Sequence, residues 1–130
     1  MKMKKIQLSI LSLVLAATTF IGVPLNGGYK GWIYVNDAFR LFITGNFQGE
    51  NLYALSLHIL LVIFTMALYL MPILVFVFNN HKLITYMPLA YLLLTLLYFP
   101  YLIILCIPFL ILWTGLLLFL RINKNELYQK

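Results

Sequence analysis

Charged side chains are scarce in this chain of 130 residues: nine are basic, three are acidic, and together they make up 9% of the sequence. A soluble domain carries roughly 25% charged residues, whereas hydrophobic residues reach 64% here. A water-soluble fold of this length could not hide so much apolar surface, because small domains leave much of their chain exposed. The composition therefore excludes the ordinary soluble classes and predicts an integral membrane protein.

Thiols and carboxylates are rarer still, which removes most catalytic and cofactor chemistry. Cys106 is the single cysteine, so the chain can form neither an internal disulfide nor a cysteine metal site. The acidic residues are Asp37, Glu50 and Glu126, and none lies in a long apolar run. The sequence contains no phosphate-binding glycine loop and no nucleophile beside a base. We predict no enzyme activity, no metal, no cofactor, and no ion-coupled carrier of the usual acidic design.

The basic residues lie where they would orient a membrane protein. Seven of the nine fall in three short stretches outside the apolar runs: Lys2, Lys4 and Lys5; Lys82; and Arg121, Lys124 and Lys130. Less the charge of Glu126, these stretches account for the whole formal net charge of +6. Excess lysine and arginine in short loops marks the cytoplasmic face. We therefore predict a bacterial cytoplasmic membrane protein with both termini cytoplasmic and with no nucleic-acid partner.

Four apolar runs predict an all-α integral membrane protein, a single-domain bundle of four transmembrane helices. Their approximate limits are 6–23, 52–78, 83–98 and 102–120. A bilayer core of roughly 30 Å needs about 20 residues, and Pro72 is expected to kink the second helix. The first run also has the lysine-rich start and apolar centre of a signal peptide. We expect an uncleaved anchor and keep a cleaved signal peptide as the alternative.

The last two spans are predicted to form a tight hairpin. A single helix from 83 to 120 would be about 57 Å long, which no ordinary bilayer matches, and Pro100 disfavours helix at Phe99. The turn is therefore placed at residues 98–101, and a shallow or broken hairpin is the alternative. An inner loop at 79–82 and a cytoplasmic tail at 121–130 complete the chain.

Residues 24–51 form the predicted outer loop and hold five of the seven glycines together with several aromatic residues. Polar side chains recur at helical spacing from Asp37 to Thr44 and leave apolar ones mainly on the other side. That pattern is typical of a short helix lying in the membrane interface. The alternative is a hairpin from residues 32–35 that turns through Asn36 and Asp37.

His58 is the only titratable side chain well inside a predicted span. Ionisable groups within the bilayer are costly and are candidates for function, so a proton relay or a ligand contact is one interpretation. The favoured one is a neutral ring hydrogen-bonded to a neighbouring helix, because no acidic residue lies in a span to pair with it. His81 is 23 residues away, about 34 Å along one helix, which excludes a metal held by the two histidines.

Two further groups of residues are candidates for contacts. Small residues on one stripe let helix backbones approach closely in lipid, and the first span has such a stripe at helical spacing. This predicted packing seam consists of Ser9, Ser12, Ala16 and Thr19. The outer loop supplies large aromatic side chains of the kind that dominate protein interfaces. The predicted partner contacts are Trp32, Tyr34, Phe39 and Phe42.

The sequence therefore favours a protein that acts by binding a partner in or at the bilayer. One version is an accessory subunit of a larger membrane complex. A second is a bacterial immunity protein that recognises a pore-forming, membrane-active toxin, and a third is a small channel or carrier that uses His58. Neighbouring genes would separate the first two versions, and ion flux through liposomes, lost in His58→Ala, would favour the third.

Overall fold

A computed structural model describes residues 2–24, 32–45, 51–78 and 82–123, and 85% of them are helical, which agrees with the predicted all-α class. The elements are α1 (Lys2–Ala17), β1 (Gly22–Pro24), β2 (Trp32–Tyr34), α2 (Asp37–Ile43), α3 (Leu52–Phe78), α4 (Lys82–Tyr98) and α5 (Ile107–Ile122). Short 3-10 helices follow α1 at Thr18–Phe20 and α4 at Pro100–Ile104. His81, most of the predicted inner loop and most of the predicted tail lie outside the described residues.

Helix α3 covers the same residues as the second predicted span, 27 in all. It begins after Asn51, whose side-chain oxygen accepts a hydrogen bond from the Ala54 amide at 2.8 Å and so caps the helix. At 1.5 Å per residue α3 is about 40 Å long. Within the described ranges it is the one helix both long and apolar enough to cross a membrane, and α4 and α5 are shorter apolar helices.

Helix α1 ends earlier than the first predicted span, at Ala17 instead of residue 23. The hydroxyls of Thr18 and Thr19 donate to carbonyls three residues earlier, at 2.6 and 2.8 Å. Side-chain bonds of this kind compete with helical backbone bonds, and the chain passes through a 3-10 turn into extended backbone at Ile21. The helix therefore covers the first predicted span only as far as Ala17, and residues 18–23 continue it as a 3-10 turn and extended chain.

A two-stranded antiparallel sheet follows, in which β1 pairs with β2. Gly22 stands opposite Tyr34 in the register, and a Cβ at Gly22 would lie 2.6 Å from the Tyr34 ring. Only glycine allows this close approach. The alternative hairpin turning through Asn36 and Asp37 is wrong, because β2 pairs backwards in the chain with β1 and Asp37 begins α2.

The connection between α4 and α5 is longer than the predicted turn. Phe99 is extended (φ −134°), as expected before Pro100, and a 3-10 helix then runs to Ile104. Helix α5 begins only at Ile107, with Pro108 in its first turn, where the missing N–H of proline would be unpaired in any case. The α-helical part of the fourth predicted span therefore begins at Ile107, after the 3-10 helix.

The core lies where α3 packs against α1 on one side and α4 on the other. Its most buried members are Leu8, Leu15, Leu68, Met71, Ile84, Tyr91 and Phe109. Large apolar side chains also cover the outside of the helices, among them Leu13, Ile63, Ile73, Leu93 and Ile111. Such a surface suits a membrane location, because soluble proteins seldom expose extensive apolar patches.

A proline inside α4 has its missing hydrogen bond replaced from α5. Pro88 has no N–H, so the carbonyl of Ile84, four residues earlier, loses its usual helical donor. The indole Nε1 of Trp113 donates to that carbonyl at 2.9 Å. Since Ile84 is fully buried, this single side chain satisfies a carbonyl that water cannot reach.

Candidate functional site

Residues 32–45, named here the aromatic segment, attach to the middle of the long helices and not beyond their ends. The carbonyl of Val35 accepts a hydrogen bond from the hydroxyl of Tyr91 at 3.3 Å. Tyr91 stands one residue from the midpoint of α4 (Lys82–Tyr98), and both Val35 and Asn36 are buried. Non-helical backbone at such a depth is tolerated in a membrane protein only where protein surrounds it.

Tyr69 holds the same segment from α3. Its hydroxyl lies 2.8 Å from Nδ2 of Asn36 and 3.0 Å from Oγ1 of Thr19. The Thr19 hydroxyl already donates to the carbonyl of Ala16. Tyr69 therefore accepts from Asn36 and donates to Thr19, and one phenol group joins α3, the end of α1 and the start of α2.

Aromatic contacts reinforce this attachment. The ring of Phe20 stacks on Tyr69 with centroids 5.6 Å apart, and Phe39 meets the same ring edge-on at 5.5 Å. The backbone adds two bonds, from the amide of Val35 to the carbonyl of Ile21 and from Asn36 to Thr19, both at 3.0 Å. The predicted helix at Asp37–Ile43 is present, and it packs on α3, where Tyr69 contacts the ring of Phe39 and the side chain of Asn36.

A groove of about 380 Å³ opens on the far side of this attachment. Its lining is mainly aromatic and aliphatic, with one amide, one guanidinium and the hydroxyls of Tyr34 and Thr44. The lining residues are Phe20, Tyr34, Asn36, Phe39, Arg40, Ile43 and Thr44. A concave, largely apolar surface with a few convergent polar groups is the usual form of a binding site.

Arg40 and Asp37 are the charged pair of the site. The guanidinium Nε and Nη2 both lie 2.9 Å from Oδ1 of Asp37, and the guanidinium carbon lies 5.4 Å from the centre of the Tyr34 ring. The Arg40 side chain is 46% exposed, whereas Asp37 is only 14% exposed. An exposed ion pair of this kind contributes little to stability.

The four predicted partner contacts divide between the groove and its edge. Tyr34 and Phe39 line the groove, and Phe39 is half-buried against Tyr69. Trp32 and Phe42 are exposed, and the Trp32 ring lies 6.4 Å from that of Tyr34. Tyr34 and Phe39 are thus positioned by packing at the groove, whereas Trp32 and Phe42 face outwards at its edge.

His58 is buried in the interface between α3 and α4. Its Nδ1 is hydrogen-bonded to the hydroxyl of Tyr98 at 3.0 Å, and the two rings meet edge-on with centroids 5.6 Å apart. The contact joins the start of α3 to the end of α4. This geometry is that of a histidine linked to a hydroxyl on a neighbouring helix.

The predicted packing seam of α1 faces α3. Ser12, Ala16 and Thr19 are buried, and the hydroxyl of Ser9 donates to the carbonyl of Pro72 in α3 at 2.9 Å. Ser12 turns its hydroxyl back to the carbonyl of Ser9. Small side chains thus let α1 approach the proline-containing turn of α3, and none of these four residues lines the groove.

Sequence reasoning missed the two tyrosines that position the aromatic segment. Tyr69 and Tyr91 stand near the middle of apolar runs, where lipid offers their hydroxyls no partner. A buried tyrosine hydroxyl usually finds a hydrogen-bond partner, so each predicted a polar contact at that depth. Asn36 was also missed as part of the binding surface, since an asparagine between a strand and a helix also suits an ordinary turn.

Comparison with protein-family models, curated protein sequences and solved structures finds no match to this chain. The function is therefore inferred from its own residues. The groups gathered at the groove are aromatic rings, an amide, two hydroxyls and a guanidinium, which are groups suited to noncovalent binding.

Proposed function

We propose that the chain crosses a membrane four times, with both termini cytoplasmic, and that it acts without cofactor by binding another membrane protein through the aromatic segment. The observation that carries the proposal is the exposed Trp32 at the edge of the groove, in a segment that Tyr69 holds at Asn36 and Tyr91 holds at Val35. Rigid aromatic side chains on a supported surface are what protein interfaces use as anchors.

The positions of the basic residues support a common cytoplasmic face. The Nζ of Lys4, near the start of α1, donates to the side-chain oxygen of Asn123, just after α5, at 2.6 Å. Lys82 begins α4 and Arg121 lies in the last turn of α5. Because α4 and α5 run in opposite directions, these charges gather at one end of the bundle, as the positive-inside rule requires.

The shorter helices suit a bilayer that adapts to them. Helices α4 and α5 have 17 and 16 residues, or about 25 Å each, against roughly 30 Å of hydrocarbon. Local thinning of the bilayer accommodates a shortfall of this size at modest cost. Lys82 at one end of α4 and Tyr98 at the other are residues that anchor a helix at the two interfaces.

Single-cysteine labelling tests the membrane placement. In a Cys106→Ser background, an impermeant maleimide added to intact cells should label Leu52→Cys at the start of α3 and should spare Arg121→Cys. Both positions are exposed, so access to reagent depends on the membrane alone. Permeabilisation of the membrane should make Arg121→Cys reactive towards the maleimide. Labelling of Arg121→Cys in intact cells would contradict the topology.

Photo-crosslinking in native membranes tests partner binding. A photoreactive side chain in place of Trp32 should give a discrete protein adduct, whereas the same group at Ile73, exposed on α3, should give lipid adducts only. Sequencing of the adduct then separates an accessory subunit from an immunity protein, since the captured protein is a complex subunit in one case and a toxin in the other. A protein adduct from Ile73 and none from Trp32 would show that recognition uses a different surface.

A further inference from the structure

We infer that the groove of the aromatic segment receives a transmembrane helix of the partner protein, and that an asparagine or glutamine side chain of that helix is recognised by Asn36 and Tyr34. The inference rests on the proposed function and names the part of the partner that is bound. Three observations support it: the height of the groove, an open hydrogen-bond acceptor in its wall, and the neutralised charge of its arginine.

The groove lies at the height of the hydrocarbon. Asn36 belongs to its lining and is bonded to Tyr69, four residues past the midpoint of α3 (Leu52–Phe78). The preceding residue, Val35, is bonded to Tyr91, one residue from the midpoint of α4. Lipid offers only acyl chains at such a height, because its polar groups stay at the two interfaces. A ligand that brings a polar group to this height is therefore a protein segment that spans the membrane.

Asn36 presents an open hydrogen-bond acceptor to the groove. Its Nδ2 donates to Tyr69 at 2.8 Å, and the planar carboxamide then turns its oxygen away from Tyr69. An asparagine before a helix usually accepts from an amide of the first turn, but the Asn36 side chain makes no such bond to α2. Asn36 is only 6% exposed and lines the groove. Its Oδ1 has no donor among the described residues, so a group that enters the groove is what can satisfy it.

Tyr34 adds a donor to the same lining. The guanidinium of Arg40 lies 5.4 Å from the centre of its ring, and its hydroxyl has no acceptor among the residues that the structure describes. The groove thus offers an acceptor and a donor within a lining that is otherwise largely apolar, with Phe20, Phe39 and Ile43. A side-chain carboxamide meets both groups, because its NH₂ donates and its oxygen accepts.

The charge in the lining is already neutralised, which disfavours a charged side chain. Asp37 accepts from Nε and Nη2 of Arg40 at 2.9 Å, so a second charge would gain little to offset the cost of entering the bilayer. A hydroxyl has less need of the groove, because threonines in helices donate to carbonyls of their own helix, as Thr65, Thr95 and Thr114 do here. Asparagine and glutamine instead form hydrogen bonds between helices in lipid.

Binding of designed transmembrane peptides to the full chain in liposomes tests the inference. The probe is a lysine-flanked leucine helix of about 20 residues with one central asparagine, and the comparison peptide has leucine at that position. The chain carries its fluorophore at Leu52→Cys in a Cys106→Ser background. Energy transfer should show the asparagine peptide binding about threefold more tightly, the scale of one hydrogen bond between helices in lipid.

Two pairs of variants locate this binding in the groove. Tyr34→Phe removes the hydroxyl and keeps the ring, so it should reduce the preference for asparagine to less than about twofold, whereas Tyr86→Phe, at an exposed hydroxyl of α4, should leave it unchanged. Ile43 is exposed and lines the groove, so Ile43→Trp should fill the groove and abolish the preference. Ile73→Trp, at an exposed site of α3 outside the lining, should preserve it.

Asn36→Leu tests the acceptor itself. It removes Oδ1 together with the bond to Tyr69, whereas Tyr69→Phe removes only that bond. The preference for the asparagine peptide should therefore be lost in Asn36→Leu and should persist at least in part in Tyr69→Phe. The same residual preference in both variants would show that Oδ1 takes no part in recognition and would overturn the inference.

Other occupants of the groove give different results. Equal binding of the two peptides to the wild-type chain, as expected for a groove filled by acyl chains, would overturn the inference. Energy transfer between two labelled copies of the chain, lost in Ile43→Trp, would place a second copy in the groove and would overturn it as well. Failure of the proposed function appears separately, as the lack of a protein adduct from the photoreactive group at position 32.

Discussion

Replacing Tyr69 by phenylalanine should lower the free energy of unfolding by about 1–3 kcal/mol, the usual cost of leaving buried polar groups without partners. The substitution removes one oxygen atom and keeps the ring that packs between Phe20 and Phe39. What is lost is the acceptor for the Asn36 amide, which is buried, and the donor to Thr19. Reversible unfolding of the purified protein in mixed micelles measures the change.

The same substitution should loosen the aromatic segment before the bundle unfolds. Val35 is 3% exposed, so Val35→Cys in a Cys106→Ser background should react slowly with a maleimide in detergent. Tyr69→Phe should speed this reaction, because Asn36 is the neighbour of Val35 and loses its bond to α3. Leu52→Cys, at an exposed site, should react at the same rate with either residue at position 69.

A matched control is available on α4. Tyr86 is 64% exposed, so Tyr86→Phe makes the same chemical change at a hydroxyl that faces the surroundings. It should change stability by no more than about 0.5 kcal/mol, as exposed substitutions usually do. If Tyr69→Phe were as mild as Tyr86→Phe, the hydroxyl of Tyr69 would not be what attaches the aromatic segment.

Replacing Trp113 by phenylalanine should also lower the free energy of unfolding by about 1–3 kcal/mol, because it leaves a buried carbonyl without a hydrogen-bond donor. The indole N–H of Trp113 donates to the carbonyl of Ile84. Within α4 that carbonyl would accept from the amide of residue 88, but Pro88 has no N–H. Phenylalanine keeps most of the apolar contact and removes the donor. The effect should be read as the unfolding free energy under the conditions used for Tyr69→Phe.

Pro88→Ala should largely remove the loss of stability that Trp113→Phe causes. Alanine at position 88 restores the N–H that bonds the carbonyl of Ile84 within α4, so Trp113→Phe in the Pro88→Ala background should lose only the small difference in ring size. A double-mutant cycle isolates the coupling, since the change in ring size occurs in both arms. Trp32→Phe, at an exposed tryptophan, should be nearly neutral. Equal costs of Trp113→Phe with and without Pro88 would rule out the compensation between them.

Much of the helical framework could be predicted because its causes are local. The run from Leu52 to Phe78 has no charged residue other than His58 and follows the polar residues 46–51, so both its helical form and its limits follow from composition. Pro100 likewise ends α4 wherever the chain packs, because its ring constrains the residue before it. The helix within residues 32–45 was also predicted from its local pattern of polar and apolar side chains.

The position of that segment could not be predicted, because it depends on residues far away in the chain. The pattern from Asp37 to Thr44 describes an amphipathic helix equally well at a membrane surface and against other helices. Packing decides between them: Asn36 meets Tyr69 across 33 residues and Val35 meets Tyr91 across 56. The early end of α1 has a local cause in the hydroxyls of Thr18 and Thr19 and a distant one as well, since the carbonyl of Thr19 accepts from the amide of Asn36.

The sequence by itself therefore determined the helical class, the long apolar helix, the break at Pro100 and the aromatic segment, because apolar runs, charges and prolines act on their own neighbourhood. Only the tertiary structure decided that this segment enters the bundle and that Trp113 compensates for Pro88. Each of these depends on a buried polar group finding a partner on another element, and such partners are chosen by the three-dimensional packing of distant residues.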